Sequence, residues 1–221
     1  MQTARIAELL EPYLGLPETR RLTPEALDSI LMYIDILQRW NTRINLTAIR
    51  NEEEIVGRHF GESLFAAKHL FPLCSSVAPV VKGFSVADVG SGAGFPGIPI
   101  KLWAPEIHLT LIESNQKKAT FLKEVARALI LTDINIQAAR AETLPASTYN
   151  VVTLRAVERF ESILPVATRL VKPAGRLALL IGSSQLDQAK EILPNFLWPD
   201  EWPLPGSTSR VLAVAVEHVP K

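Results

Sequence analysis

An α/β fold, doubly wound around a parallel sheet and preceded by an N-terminal helical extension, is predicted by three observations. From Phe84 onward, short apolar runs alternate with stretches of helical periodicity. The first of these runs leads directly into a glycine-rich turn, Asp88-Val-Gly90-Ser-Gly92-Ala-Gly94-Phe-Pro-Gly97. Before Pro72 the apolar residues fall into helical stripes. Such alternation means parallel strands joined by right-handed crossovers.

Residues 3–11 and 24–41 are predicted as helices. The second opens on Thr23-Pro24-Glu25: a cap, a proline at the first helical position and an acid in the first turn. Leu27, Ile30, Leu31, Ile34 and Leu37 form one apolar stripe along it. Asn41 to Ile49 breaks the pattern. Residues 52–69 are helical again, in two pieces around Gly61, and Pro72 to Lys82 is a connector. Strands are predicted at 84–89, 108–112, 134–137, 150–154 and 176–181, with helices at 97–104, 115–130 and 161–171 between them. A helix at 185–193, a proline-rich loop from Trp198 to Gly206 and a last strand at 209–217 complete the chain. The organisation is therefore a helical extension, 1–75, packed on a sheet domain, 76–221.

The bulk properties narrow the class. With 221 residues, 48% of them hydrophobic, the chain is long enough for one α/β domain plus extra helix. Lys plus Arg and Asp plus Glu are equal at 23 each, so the long-range field is weak. That disfavours non-specific charge binding to naked nucleic acid but leaves room for a local basic patch. The single cysteine, Cys74, excludes an internal disulfide framework and suits a reducing cytoplasm. No apolar run reaches membrane-spanning length, and the first residues lack a signal-peptide pattern.

The glycine turn carries the functional argument. A turn of this kind lets backbone approach a ligand more closely than side chains permit, and the following helix aims unpaired N–H groups at the same place. Ligands of nucleoside type are held in this way at the carboxyl edge of a parallel sheet. Gly92-x-Gly94-x-x-Gly97 fits a dinucleotide fingerprint, and Asp88-x-Gly90-x-Gly92-x-Gly94 fits the pattern for S-adenosylmethionine (SAM). The offsets favour SAM. Gly90 is the first glycine after the strand, and a dinucleotide pattern counted from it would need glycine where Phe95 stands. The last strand, hairpin-like in a parallel sheet, is likewise a habit of SAM-dependent methyltransferases.

Three further strand ends supply candidates. Glu113 follows Gly92 by 21 residues, where an acid accepts hydrogen bonds from ribose hydroxyls; a solvated strand-end carboxylate is the alternative. Glu142, after the third strand, is either a contact to adenine or a loop carboxylate. Arg155 ends the fourth strand, either as a surface arginine paired to a carboxylate or as a guanidinium that meets a phosphate or a cofactor carboxylate. That strand end reads Thr153-Leu-Arg-Ala, without the Asn/Asp-Pro-Pro-aromatic loop of exocyclic-amine methylation, and Cys74 is far away in sequence. Guanine N7 needs neither, because its lone pair is free. Catalysis there is positioning, with no general base. Around Trp40, Asn41, Asn45 and Thr47 a helix ends in a turn. Packing on the core and contact with RNA through Arg39, Arg43, Arg50 and Arg58 are the two readings of that segment.

Taken together, these motifs resemble the GidB/RsmG family, the small-subunit ribosomal RNA guanine-N7 methyltransferases, over nearly the whole chain. The resemblance is carried by Trp40-Asn41-x-x-x-Asn45-Leu-Thr-Ala-Ile49, Arg58-His59-x-x-Glu62-Ser-Leu64, Asp88 through Pro99, Leu111-Ile-Glu113-Ser114 with Lys117-Lys118 and Phe121-Leu122, and Arg155-Ala156. It implies a Rossmann-like class I fold that takes SAM, gives S-adenosylhomocysteine and uses no metal. Asp88, Gly90, Ser91, Gly92, Gly94, Phe95, Glu113, Ser114, Ala141, Glu142 and Arg155 would form the cofactor site, Glu113 at the ribose and Ala141 and Glu142 at the adenine. Arg155 would also position the reactants, and Arg43, Asn45, Arg58 and His59 would face RNA. The substrate would be one guanosine of 16S rRNA in the small ribosomal subunit. A cytoplasmic monomer with no membrane or DNA partner is expected. Asn150, Glu62 and Ile181 depart from the family pattern, which has Asp, Asp and often Lys there. A methyltransferase acting on a non-RNA substrate, or an NAD-dependent oxidoreductase, is the alternative.

Overall fold

The computed structural model describes residues 1–15, 22–72, 83–156 and 159–218. Two helices open the chain, α1 (Thr3–Leu14) and α2 (Pro24–Asn41). The first runs past its predicted end and through Pro12, because Ile6, Leu10 and Leu14 continue one buried stripe at helical spacing. Thr23 caps α2 by accepting the Ala26 N–H at 3.2 Å.

The next helix differs from its expected form. Short α3 (Glu52–Ile55) continues through a π-helical turn, Val56–Gly61, into α4 (Glu62–Leu70), with no break at Gly61. That glycine serves packing instead: a Cβ there would lie 2.6 Å from two ring carbons of Tyr13 on α1. Gly61→Ala should therefore overpack this contact and cost about 1–3 kcal/mol of stability, read as a shift in denaturant midpoint. An unchanged midpoint would mean that the Tyr13 ring swings aside freely.

The sheet domain alternates as expected: β1 (Ser85–Val89), α5 (Gly97–Trp103), β2 (His108–Ile112), α6 (Gln116–Ala128), β3 (Ile134–Gln137), β4 (Tyr149–Arg155), α7 (Phe160–Leu170), β5 (Val171–Gly182) and α8 (Ser183–Ile192). Two strands close it, β6 (Phe196–Pro203) and β7 (Arg210–Glu217). The order is β3-β2-β1-β4-β5-β7-β6, and β1 to β5 are parallel. β7 enters antiparallel between β5 and β6. The segment expected as a proline-rich loop is thus largely β6. Its prolines are tolerated because β6 is an edge strand, and its register slips between Leu197 and Asp200.

Period-two alternation divides the core between the two sheet faces. Val86, Leu109, Leu111, Val151 and Ala178 face the N-terminal helices together with α5 and α6. Ala87, Ile112, Val152, Leu154 and Leu177 face α7 and α8. The expected boundary at 75/76 and Cys74 lie outside the described residues. Two of the departures are remote from the carboxyl edge or sealed in the core. Asn150, at the start of β4, accepts from Ser85 N at 3.0 Å and Ser85 Oγ at 2.9 Å. Ile181 is buried against the second helical layer. No helix among the described residues is long and apolar enough to cross a membrane.

Candidate active site

The carboxyl ends of β1, β2 and β4 open onto a cleft of about 750 Å³. Its floor is the turn after β1, where Gly90, Gly92 and Gly94 take φ values of 69°, 54° and 85°, a region that L side chains avoid. Hydrogen bonds to the next strand hold the turn: Gly90 N and Ser91 N donate to Ile112 O at 2.9 and 3.1 Å. Ser91 Oγ donates to Asp88 O at 2.8 Å.

The four glycines divide by role. A Cβ on Gly94 would lie 2.7 Å from Ile98 Cδ1, and one on Gly97 would lie 2.6 Å from Leu111 Cδ2. Those two glycines are explained by close packing alone. Gly90 and Gly92 line the cleft, and within 4 Å a Cβ on Gly92 would meet only Gly90 O, at 3.7 Å. The part of the pattern shared with dinucleotide folds therefore needs no pyrophosphate to account for it.

Asp88, expected at the cofactor, lies beneath the turn instead and does not line the cleft. Its carboxylate accepts from Gly97 N at 3.2 Å and from Thr153 Oγ at 2.8 Å, tying α5 and β4 to the loop. Burial pushes its carboxyl up from 3.8 to about 6, against the pull of those hydrogen bonds. The protonated form therefore fits the native state better than it fits the unfolded chain. That stabilisation is complete below 3.8 and is lost as the pH rises through about 6. Asp88→Asn removes the titration, so across this window wild type should lose about 3 kcal/mol relative to the variant. Denaturant midpoints from about pH 3.5 to 7 check this, and a constant difference would refute it.

Glu113 spans two turns. Its Oε2 accepts from Gly92 N at 2.9 Å and its Oε1 from Asn115 N at 2.7 Å. Each carboxylate oxygen has a second lone pair, so two acceptor sites remain for ligand hydroxyls. Ser114, Ala141 and Glu142 line the same side of the cleft. Ala141 and Glu142 lie on a 3₁₀ turn, Ala141–Thr143, whose carbonyls Arg169 Nη2 contacts at 3.3 and 3.1 Å.

The side next to β4 is built by the N-terminal helices. Phe95 lies between two rings, stacked on Tyr33 at 5.3 Å and on His59 at 4.8 Å. Tyr33 donates to the Ala93 carbonyl. Arg155 lines the cleft, yet its hydrogen bonds run to the helix: Nη2 to Arg58 O at 2.6 Å and Glu62 Oε2 at 3.1 Å, and Nη1 to His59 Nδ1 at 3.1 Å. It is thus paired to a carboxylate but buried instead of lying at the surface, and these three bonds use only part of its donor set. Glu62 is buried and also receives ion pairs at Oε1 from Arg210 at 2.6 Å and Arg58 at 3.1 Å. One carboxylate, on the Glu that departs from the expected Asp, thus sits among three guanidiniums.

Gly90, Ser91, Gly92, Phe95, Glu113 and Ser114 meet at one cleft as expected, with Ala141, Glu142, Arg155 and His59 around the same volume. Asp88 and Gly94 support it from below. Arg43 and Asn45 are exposed on the turn after α2, and neither they nor Arg58 line the cleft. Sequence reasoning missed Leu46, Thr47, Lys118, Arg159 and Ser162 as cleft residues. Thr47 and Lys118 stand inside motifs it had noticed, whereas Arg159 carries no sequence signal. Asn41 fixes the turn before Thr47: its Oδ1 accepts from Leu46 N at 2.9 Å and Thr47 N at 3.1 Å. Among the described residues no group of three or more His, Cys, Asp or Glu side chains is arranged to hold a metal.

This sheet order, with the glycine turn after β1 and an acceptor after β2, defines a Rossmann-like class I SAM-dependent methyltransferase fold. Ribosomal protein L11 methylase from Lactobacillus delbrueckii subsp. bulgaricus shares it, with a TM-score of 0.58 and 16% identity over 73% of this chain and 79% of that one. The chain belongs to the GidB family, described as rRNA small subunit methyltransferase G, whose profile matches residues 26–196. A relative named ribosomal RNA small subunit methyltransferase G, from Roseiflexus sp. (strain RS-1), is 40% identical over 173 residues, covering 76% of this chain and 70% of the relative. The protein of the same name from Roseiflexus castenholzii is 34% identical over 212 residues, covering 90% and 87%.

Proposed function

We propose that this chain transfers a methyl group from SAM to N7 of one guanosine in 16S rRNA, acting as a monomer on the small ribosomal subunit. The observation that carries this reading is the cleft itself: a close-approach glycine turn with the Glu113 carboxylate on one side and the Thr47–His59–Arg155 wall on the other. The residues present fit SAM. Gly90 and Gly92 leave room for its backbone contacts, Glu113 has free lone pairs for ribose hydroxyls, and Ala141 and Glu142 would flank the adenine. When bound, SAM supplies an electrophilic methyl on a sulfonium centre.

The chain's own contribution is positional. Phe95, packed between Tyr33 and His59, and the buried Arg155 hold the wall opposite Glu113. A purine N7 carries its lone pair in the ring plane and needs no deprotonation, so alignment of N7 with the methyl accounts for catalysis. A weak overall charge suits a structured particle that presents its loop, in preference to free RNA.

Transfer of labelled methyl groups from SAM, offered to unmodified small subunits, large subunits and DNA, tests the substrate class. Label confined to small-subunit RNA is expected. Label in protein or in none of the three would overturn the reading, and a melting shift with NAD instead of S-adenosylhomocysteine would overturn the cofactor.

A further inference from the structure

Three side chains from separate segments form one run of hydrogen bonds along the cleft wall. Arg155 Nη1 lies 3.1 Å from His59 Nδ1, and His59 Nε2 lies 2.7 Å from Thr47 Oγ1. The direction of each bond follows from what each group is able to donate. A guanidinium has only N–H groups, so Arg155 donates and His59 Nδ1 accepts. Burial, with the Arg155 and Arg58 charges, pushes His59 down to about 3, and the ring is neutral. A neutral imidazole that accepts at Nδ1 carries its proton on Nε2. His59 therefore donates to Thr47 Oγ1. The Ile49 N–H donates to the same oxygen at 3.1 Å. Two donors fill both lone pairs of a hydroxyl oxygen. The Thr47 O–H is left to donate, and among the described residues no acceptor takes it. Thr47 and His59 both line the cleft.

The sheet order says which end of the cleft this is. β2 and β3 lie on one side of β1, with Glu113, Ala141 and Glu142 beyond their ends. β4 lies on the other side, and Arg155 at its end brings His59 and Thr47 there. The ribose and adenine contacts leave this end for the reacting base.

We propose that the Thr47 hydroxyl is a donor-only reader of the target base, meeting the O6 carbonyl of guanine beside the N7 that receives the methyl group. This rests on the guanine-N7 reading above. An ordinary threonine hydroxyl turns either way and accepts or donates as the base requires. Here Arg155 and His59 remove the accepting option, and they are positioning residues in that sense. Guanine presents two acceptors on this edge, whereas adenine presents the N7 acceptor and an N6 donor. With N7 in place, adenine would set N–H against O–H and leave both unpaired. Discrimination is steep where a mismatch strands buried polar groups.

The test uses Thr47→Val, Thr47→Ser and small subunits reconstituted with 2-aminopurine, which keeps N7 and lacks O6, at the methylated position. Thr47→Val should lower kcat/KM on guanosine by roughly 10–100-fold and leave S-adenosylhomocysteine affinity within about twofold, and Thr47→Ser should restore most of the rate. Wild type on 2-aminopurine should fall to the same level, with no further fall when both changes are combined. Additive losses would overturn the proposal, as would a loss of cofactor affinity that matches the loss of rate. If Thr47→Val does not fold, the wild type decides: equal turnover on 2-aminopurine and guanosine overturns the proposal, and a 10–100-fold fall supports it. Wild type that forms no 7-methylguanosine on unmodified subunits removes the reading beneath it, and this is seen before any variant is made.

Discussion

Glu62→Gln is expected to be among the most destabilising single substitutions in this chain, at about 3–5 kcal/mol. The carboxylate is buried and serves three guanidiniums, of which Arg155 matters most. The Arg155 side chain is 11% exposed, so without Glu62 its charge would stay in a low-dielectric site with no counter-ion. Arg58 is 42% exposed, and water screens its share, so Arg58→Ala should cost under about 1 kcal/mol. For a chain of this size the Glu62 loss corresponds to a fall of roughly 10 °C in melting temperature. Activity should fall further, because Arg155 sets the hydrogen-bond direction through His59. Denaturant and thermal unfolding of both variants check the ordering. A Glu62→Gln protein as stable as wild type would mean that water already compensates the cluster.

Gly92→Val should abolish cofactor binding while the fold persists. Gly92 sits at φ 54°, where a β-branched residue is strained by about 1–3 kcal/mol. The fold has room for the side chain, since only Gly90 O lies within 4 Å of the Cβ position. The valine would therefore occupy space on the cleft side, where backbone must approach the ligand. Wild type with S-adenosylhomocysteine at 100 times its dissociation constant gains about 2.7 kcal/mol, a rise of roughly 5–10 °C. The variant should show a folded transition and no rise. A rise equal to that of wild type would show that the turn is not the cofactor's seat. Gly94 and Gly97 provide the contrast. Their substitution meets Ile98 or Leu111, so stability should fall before binding is reached.

The legible parts of this chain were those set by local backbone chemistry. The Gly90–Gly97 turn, Glu113 at the end of β2 and the Ala141–Glu142 turn are short-range features, and they do converge on one cleft. Asp88 was placed on the wrong side of the turn. Strand parity puts it with Val86, on the face covered by α5, where Gly97 N meets it. Parity alone held that information, but the turn motif outweighed it. The edge strand β6 was hidden because Pro199 and Pro203 read locally as loop, while its pairing with β7 is non-local. Of the sequence reading that made Arg155 a surface arginine paired to a carboxylate, the pairing holds and the surface position does not, since its partners lie 93 to 97 residues away and bury it. Thr47 was read correctly as a turn residue. Its place in the cleft depends on His59 and Arg155 arriving from two other segments, and no spacing rule encodes that.

The most direct test of the account is nucleoside mass spectrometry on small-subunit RNA methylated by this protein in vitro, with the modified position mapped. The account predicts 7-methylguanosine at a single position and no other new nucleoside. A different methylated nucleoside, or 7-methylguanosine scattered over many positions, would contradict it. The first would break the link between positioning without a general base and N7 chemistry, and the second would break the link between a structured particle that presents its loop and methylation of one guanosine.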